Sequence, residues 1–303
     1  MEGKLPLVSV GIPTYNRPDG LRRTLECIVG QTYPRLEIIV SDNASDNPQV
    51  KKVAEEFAGH DTRITYICQE RNLGPNGNFR FTLANATGEY FMWAADDDEW
   101  DKEFIRTCVD NMGDAGSVMT NFTTHFNKTD MKVRNQIPFL TALDSTFVAV
   151  SQFLENMQPS LFYGLHRRVT IQYFLRDKFF DFYDCYFVIR QVLEYGFVTI
   201  PNKSLYTSGI DSDAYVVKPA TKRKGKLLDY LPFLRKSISL VIKSKRLKVV
   251  EKIKVIRLLS IKVCGWFIHY ETGYRPASVF WVKLIRRFLK YWEGVSKRRL
   301  VAA

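Results

Sequence analysis

A mainly parallel α/β sheet flanked by helices, followed by a basic helical region, is the architecture this sequence predicts. Three observations carry it. Short apolar runs alternate with amphipathic stretches over roughly the first hundred residues. Polar and acidic residues collect directly after each run, and the composition turns strongly basic near residue 218.

The first run, Leu7 to Ile12, is almost continuously apolar and ends at Pro13, as a strand buried on both faces should. A helix follows, with Pro18 in its first turn and Leu21, Leu25, Ile28 and Val29 on one face. Leu36 to Val40 is the second strand, and Pro48 to Phe57 a helix with Val50, Val53, Ala54 and Phe57 on one side. Arg63 to Ile67 is the third strand, Asn76 to Ala86 a helix, and Glu89 to Ala95 the fourth strand. Strands joined through helices imply βαβ units, whose ligands sit beyond the carboxyl ends of the strands. The segments at those ends are Pro13-Thr14-Tyr15-Asn16-Arg17, Ser41 to Asn47, Arg71-Asn72-Leu73-Gly74 and Asp96-Asp97-Asp98-Glu99.

The 303 residues are 46% hydrophobic, 25% charged and 14% aromatic, which excludes disordered and collagen-like classes. Five scattered cysteines (Cys27, Cys68, Cys108, Cys185 and Cys264) form no CxxC pair, so neither a disulfide framework nor a cysteine-built zinc site is expected, and a reducing compartment fits. The opening MEGKLPLVSV reads as a strand approach rather than a secretory leader. No run approaches the ~20 apolar residues of a membrane-crossing helix.

Three adjacent aspartates repel one another, so a cation should offset Asp96, Asp97 and Asp98. Mg²⁺ or Mn²⁺, bound through one or two carboxylates and a substrate's phosphates, would do so. The plainer alternative is an acidic turn capping a helix that starts near Lys102. Likewise Asp42 fits an Asx-turn, Thr14 and Asn16 fit a helix N-cap, and Arg71, Asn72 and Gly74 fit a simple turn.

Together, Val10 to Arg17, Val40 to Asp46, and Gly88-Glu89-Tyr90-Phe91 leading into Asp96-Asp97-Asp98 resemble family 2 glycosyltransferases of the GT-A (Rossmann-like) fold. The order and spacing of the motifs match over about the first 115 residues. The resemblance implies a nucleotide-sugar donor, typically a UDP-sugar, held across the strand ends. It places Pro13, Thr14, Asn16, Arg17, Asp42, Arg71, Asn72 and Asp96 at the nucleotide. It also makes the triplet the family's metal-binding DXD motif. Many members carry an Asp where Ala95 stands, so Asp96, Asp97 and Asp98 all remain candidate ligands.

An inverting transfer needs a general base for the acceptor hydroxyl. Asp184 opens a helical stretch that ends before Gly196. In the family an acidic Glu-Asp pair begins this helix, and its Asp is the base; here Tyr183 replaces the Glu. A carboxylate at a helix start also serves ordinary capping. Asp181 is the fallback, and Arg167 and Arg168 either approach the diphosphate or are surface charges. The Gln-x-x-Arg-Trp motif of processive members is missing, which favours single-sugar addition by a hexosyltransferase.

Residues 1–217 hold 21 Lys+Arg against 28 Asp+Glu, whereas 218–303 hold 23 against 4. The first stretch is expected to be the catalytic domain, with 1–115 as nucleotide-sugar half and 116–217 as acceptor half. Within the second, Trp281, Leu284, Ile285, Phe288 and Trp292 line one helix face opposite Lys283, Arg286, Arg287 and Lys290. Lys243 to Arg257, with Leu247 and Val250, is similar. Such helices suit an anionic membrane surface. The alternatives are packing on the body or on another subunit of a homo-oligomer, and, least favoured, nucleic acid. The expectation is a peripheral enzyme at the cytoplasmic membrane face, acting on a glycan or lipid-linked acceptor in cell-surface polysaccharide or glycolipid assembly. The competing classes are a non-catalytic nucleotide-sugar-binding protein and a membrane-bound scaffold.

Overall fold

The computed structural model describes residues 5–126, 130–135, 137, 138, 140, 141, 144–210 and 227–272. These divide into two compact units. The first draws on 1–139, 163–179 and 197–216, the second on 140–162, 180–196 and 217–303. Two segments of the 116–217 stretch, Leu140–Phe162 and Phe180–Gly196, thus group with the C-terminal helices and not with the sheet. The helix of Trp281 to Trp292 lies outside the described residues.

The first unit is built on one sheet. Its opening strands are β1 (Val8–Thr14), β2 (Leu36–Asp42), β3 (Ile64–Cys68) and β4 (Tyr90–Trp93), connected through α1 (Pro18–Val29), α2 (Pro48–His60) and α3 (Gly74–Ala84). Every residue of β1 and β4 is buried, which is why these segments read as unbroken apolar runs. The four strands are parallel in the order β3-β2-β1-β4. Chain order therefore reverses at the β1–β4 border, the place where open α/β sheets bind ligands. Beyond β4 the sheet becomes mixed. β5 (Glu99–Trp100), β6 (Ser117–Phe126), β7 (Met131–Arg134), β8 (Leu165–Arg167) and β9 (Phe197–Ile210) extend it, with β8 antiparallel to both β4 and β6, and β9 parallel to β6. A short helix, α4 (Phe104–Asp110), precedes β6.

Alternate residues of β1 address its two neighbours. Gly11 O accepts from Ala94 N on the β4 side (2.9 Å), and Thr14 O accepts from Asn43 N on the β2 side (3.0 Å). Pro13, which has no N–H, consequently faces the β4 side, where pairing has already ended at Gly11. The strands part there, and the chain after β4 turns through Asp96–Asp98 into β5.

The second unit is helical: α5 (Thr146–Glu155), α6 (Tyr183–Glu194), α7 (Leu227–Lys243) and α8 (Val249–Thr272). Ser145 caps α5 by accepting from Val148 N (3.2 Å). Phe153, Phe187, Phe233, Val241, Val255 and Leu259 are fully buried. Phe162 meets the edge of Phe187 at 4.9 Å, and Phe182 stacks on Tyr230 at 5.3 Å. Among the described residues no helix is long and apolar enough to cross a membrane.

One close approach fixes the α1 entry. Gly20 lies against the turn after β4, and a Cβ there would overlap the Asp96 carbonyl oxygen. Backbone cannot yield as a flexible side chain can, so Gly20→Ala is expected to cost about 1–3 kcal/mol. A thermal melt showing unchanged stability would contradict this contact.

Candidate active site

The acidic triplet is a tight turn at the carboxyl edge of the sheet, with Asp96 and Asp98 about 5% exposed. The cation demanded by the sequence is Arg17, supplied from the start of α1. Its Nη1 lies 3.0 Å from Asp96 Oδ1 and 3.0 Å from Asp97 Oδ2. Thr14 Oγ1 donates to the second Asp96 oxygen at 2.8 Å. Burial opposes the guanidinium's charge, but Asp96 and Asp97 outweigh it and its pKa is raised. Burial likewise lifts the Asp96 carboxyl above the usual range, against the pull of Arg17 and Thr14.

Asp98 has different partners. Tyr206 OH donates to Oδ2 and Gly209 N to Oδ1 (2.9 Å), binding the turn to the end of β9. Burial, then the neighbouring Asp97 charge, pushes Asp98 well above the ordinary carboxylate range. Burial and Asp98 raise the Tyr206 phenol in turn. Both Asp98 oxygens thus serve β9, which sets Asp98 apart from the two carboxylates on Arg17.

At the ends of β1 and β2, Asp42 is 2% exposed and accepts from Ser45 N (3.0 Å) and Tyr66 OH (2.9 Å). The Ser45 contact spans three residues, one more than an Asx-turn, and closes the loop after β2 onto the Asp42 carboxylate. Asn16 does not cap α1. It adopts φ 57°, a left-handed conformation that Asn tolerates, and joins the loop after β2. Its N–H donates to Ser45 Oγ (2.8 Å), and its Oδ1 accepts from Asn47 N (3.1 Å). Asn72 is exposed, and its Oδ1 receives Asn43 Nδ2 (2.9 Å) and Gly74 N (2.7 Å); Arg71 is also exposed. The structure therefore brings Pro13, Thr14, Asn16, Arg17, Asp42, Asn72 and the triplet to one edge of the first unit.

Asp184 belongs to the helical unit. It sits in the first turn of α6, after Phe182 in the left-handed region, and accepts from Cys185 N at 2.7 Å. Burial raises its pKa, partly offset by that backbone bond. Asp181 is exposed.

Arg167 and Arg168 lie elsewhere. Arg167 Nε donates to Ala115 O (3.0 Å), and Arg168 Nε to Gly88 O (2.5 Å). Gly88 precedes β4, so both guanidinium groups staple the amino edge of the sheet, opposite the triplet. An approach to a diphosphate at the carboxyl edge is corrected by this geometry. His166 is fully buried, 2.7 Å from Ser117 Oγ through Nδ1.

Sequence reasoning missed the supporting polar groups. Asn78, 3% exposed, accepts from Ser41 Oγ (2.6 Å) and donates to Ser41 O (2.9 Å) and Thr14 O (3.3 Å), so α3 ties the ends of β1 and β2 together. Gln69 Nε2 adds a bond to Ser41 Oγ at 2.9 Å. A polar Asn on the helix face that packs against two apolar strands was the available signal.

Among the described residues no group of three His, Cys, Asp or Glu is gathered to hold a metal. Asp96 and Asp97 nevertheless converge on one cationic nitrogen, so a divalent ion sharing them with a donor's phosphates fits the donor set.

A parallel sheet with its switch point at β1–β4, polar strand ends and a mixed extension is the fold of GT-A glycosyltransferases. The chain belongs to glycosyl transferase family 2, whose sequence profile matches residues 9–194. It is 41% identical over 97 residues to the GalNAc(5)-diNAcBac-PP-undecaprenol beta-1,3-glucosyltransferase of Campylobacter jejuni subsp. jejuni serotype O:2, covering 31% of each chain. It thus spans about a third of that relative's length. Its fold is similar to S. aureus TarS 1-349 in complex with UDP-GlcNAc, with TM-score 0.65, 18% identity, and 88% and 81% of the two chains covered. It is also similar to the mannosyltransferase PcManGT from Pyrobaculum calidifontis in complex with GDP-Man and Mn²⁺, with TM-score 0.54, 15% identity, and 99% and 86% covered.

Arg17→Met leaves two largely buried carboxylates without their cation. The expected loss is about 2 kcal/mol, below that of a fully buried pair because Arg17 keeps a third of its side chain in water. Mn²⁺ should restore part of the variant's melting temperature. Equal melting of variant and parent, with no response to Mn²⁺, would remove the electrostatic account of this turn.

Proposed function

We propose that the protein is an inverting, single-addition hexosyltransferase. It moves a sugar from a nucleotide-sugar donor, preferentially a UDP-sugar, to a glycan or lipid-linked acceptor in cell-surface glycan assembly. The observation that carries this reading is the convergence of Thr14, Arg17, Asp96 and Asp97 at the switch point of a GT-A sheet. The UDP-GlcNAc complex of TarS supports the donor class, and the lipid-diphosphate substrate in the name of the Campylobacter relative supports the acceptor class. Such an acceptor suits peripheral residence at the cytoplasmic membrane face, which is part of the same proposal.

Asp42 is the reader of the base, together with Asn72, which hydrogen-bonds Asp42's chain neighbour Asn43, and Arg71, which precedes Asn72. Its buried carboxylate is already oriented by Ser45 N and Tyr66 OH, so its remaining lone pairs point in fixed directions. Asp96 and Asp97 are the residues that would hold Mn²⁺ or Mg²⁺, which when bound neutralises charge on the leaving diphosphate. Asp98 orients the turn through Tyr206 and Gly209. Arg17 offers a planar fork suited to phosphate oxygens as well as carboxylates. Asp184 is the base that takes the acceptor hydroxyl's proton at its carboxylate. Its raised pKa supports this role, because a base is most effective near operating pH.

A panel of nucleotide sugars with Mn²⁺ tests the donor reading by thermal shift. The matching donor at about 100 times its Kd should add about 2.7 kcal/mol of stability. A flat response across UDP- and GDP-sugars would overturn the reading. Donor binding with no transfer to any acceptor would replace it with a non-catalytic binding protein.

Asp184→Asn should keep donor binding and lose transfer by about 10²- to 10⁴-fold. The sign of its stability effect follows from the raised pKa. The folded state holds the Asp184 proton to higher pH than the unfolded chain, so folding loses stability as pH rises through that raised value. The variant should therefore melt no lower than the parent near neutral pH, and the two should converge in acid. Parent activity should fall as pH drops through the same range. An activity profile flat into acid, or full activity in the variant, would exclude Asp184 as the base.

A further inference from the structure

We infer that the turn between α7 and α8, with the adjoining exposed side of α8, docks on an anionic lipid surface. This rests on the membrane-peripheral reading above and narrows it to one tip of the helical unit. Residues 243–262 carry eight Lys or Arg and a single acid, Glu251. The cations divide by position. Lys252 Nζ donates to Ile242 O (2.7 Å), Lys262 Nζ donates to Glu155 O (2.6 Å), and Lys254 lies 5.6 Å over the Phe147 ring. These contacts stay within the helical unit. Lys243, Lys245, Arg246, Lys248 and Arg257 are exposed, and none forms an ion pair with a described residue.

The tip is also apolar. Val249 and Val250 directly follow Lys248 and are 56% and 63% exposed, among the most exposed large apolar side chains described. Val250, Lys254, Arg257 and Ile261 (43% exposed) recur at i, i+4, i+7 and i+11, so two cations lie between two exposed aliphatic groups along one side of α8. Leu247 is 6% exposed and faces the interior, so the apolar partner of the cations is the valine pair.

Exposed aliphatic side chains ringed by cations match an interface where headgroups are anionic and the layer beneath is apolar. A protein partner fits less well, because lysine is depleted in protein interfaces. A single-stranded nucleic acid calls for stacking aromatics, and none of residues 243–262 is aromatic.

Co-sedimentation of the full chain with vesicles tests the inference. Binding to mixed phosphatidylcholine–phosphatidylglycerol vesicles should exceed binding to phosphatidylcholine alone and should weaken with salt. Lys245→Gln, Arg246→Gln and Lys248→Gln should each lower partitioning about fivefold. Val249→Ser with Val250→Ser should lower it about tenfold. All are surface changes, so melting and donor-induced stabilisation should match the parent. Equal binding to both vesicle types, no vesicle binding, tip variants that bind like the parent, or capture of RNA or a second copy in place of vesicles would each overturn the proposal. A chain that binds anionic vesicles through this tip but ignores every donor would instead sink the enzyme reading and leave the docking surface standing.

Discussion

Burying carboxylates at the carboxyl edge of an apolar sheet is the constraint on which the rest of the first unit depends. Taking Asp96 and Asp98 out of water is costly, and each must be matched by donors or a cation fixed in place. Thr14 comes from the end of β1, Arg17 from the start of α1, and Tyr206 and Gly209 from the end of β9, so the turn is held from both sides. Thr14 is itself fixed through its carbonyl by Asn78 of α3. The parting of β1 and β4 at Pro13 makes room for this arrangement. Gly20 lets α1 approach closely enough for Arg17 to reach the turn.

What was legible in the sequence follows from range. Strands buried on both faces leave apolar runs, and helices leave a 3.6-residue period, so β1 to β4 and their connecting helices could be read locally. The strand-end loops were legible because parallel α/β sheets put ligands there. The groups that satisfy those loops were not. The cation beside the triplet is 79 and 80 residues away in sequence, and Tyr206 and Gly209 are 108 and 111 away. Asp98 accordingly looked equivalent to its neighbours, although its oxygens serve β9. The antiparallel additions β5, β7 and β8 are two to four residues long, too short for any period to register.

Periodicity also explains the tail. The buried stripe of α8 is Val255, Ile256, Leu259 and Val263, a regular helix face. Val250 stands five residues before Val255, about 140° round the helix from it, and is exposed. Leu247 lies before α8 begins, so the helical period does not govern it, and it folds inward. Two apolar residues that looked like one stripe therefore have opposite fates. The grouping of α5 and α6 with these helices has a similar cause. Helices with apolar faces, such as Ala149, Val150 and Phe153 of α5, need apolar partners wherever the chain supplies them.

The charge pattern of the chain can be argued from the same electrostatics. One guanidinium faces two carboxylates at the triplet, and Asp98 is pushed toward its neutral form, so the turn keeps at most a small excess of negative charge. Under the proposed function, a richer supply of local cations would saturate Asp96 and Asp97 and leave nothing for a divalent ion to bind. Arg17 is suited to an intermediate role because its fork can exchange a carboxylate oxygen for a phosphate oxygen without losing its charge. The chain's surplus of Lys and Arg is concentrated after residue 217, where only four acids occur. Under the proposed function this segregation has a physical reason. A donor's diphosphate calls for one tethered cation with room for a metal, whereas a lipid surface is met by many loosely held cations whose contributions add.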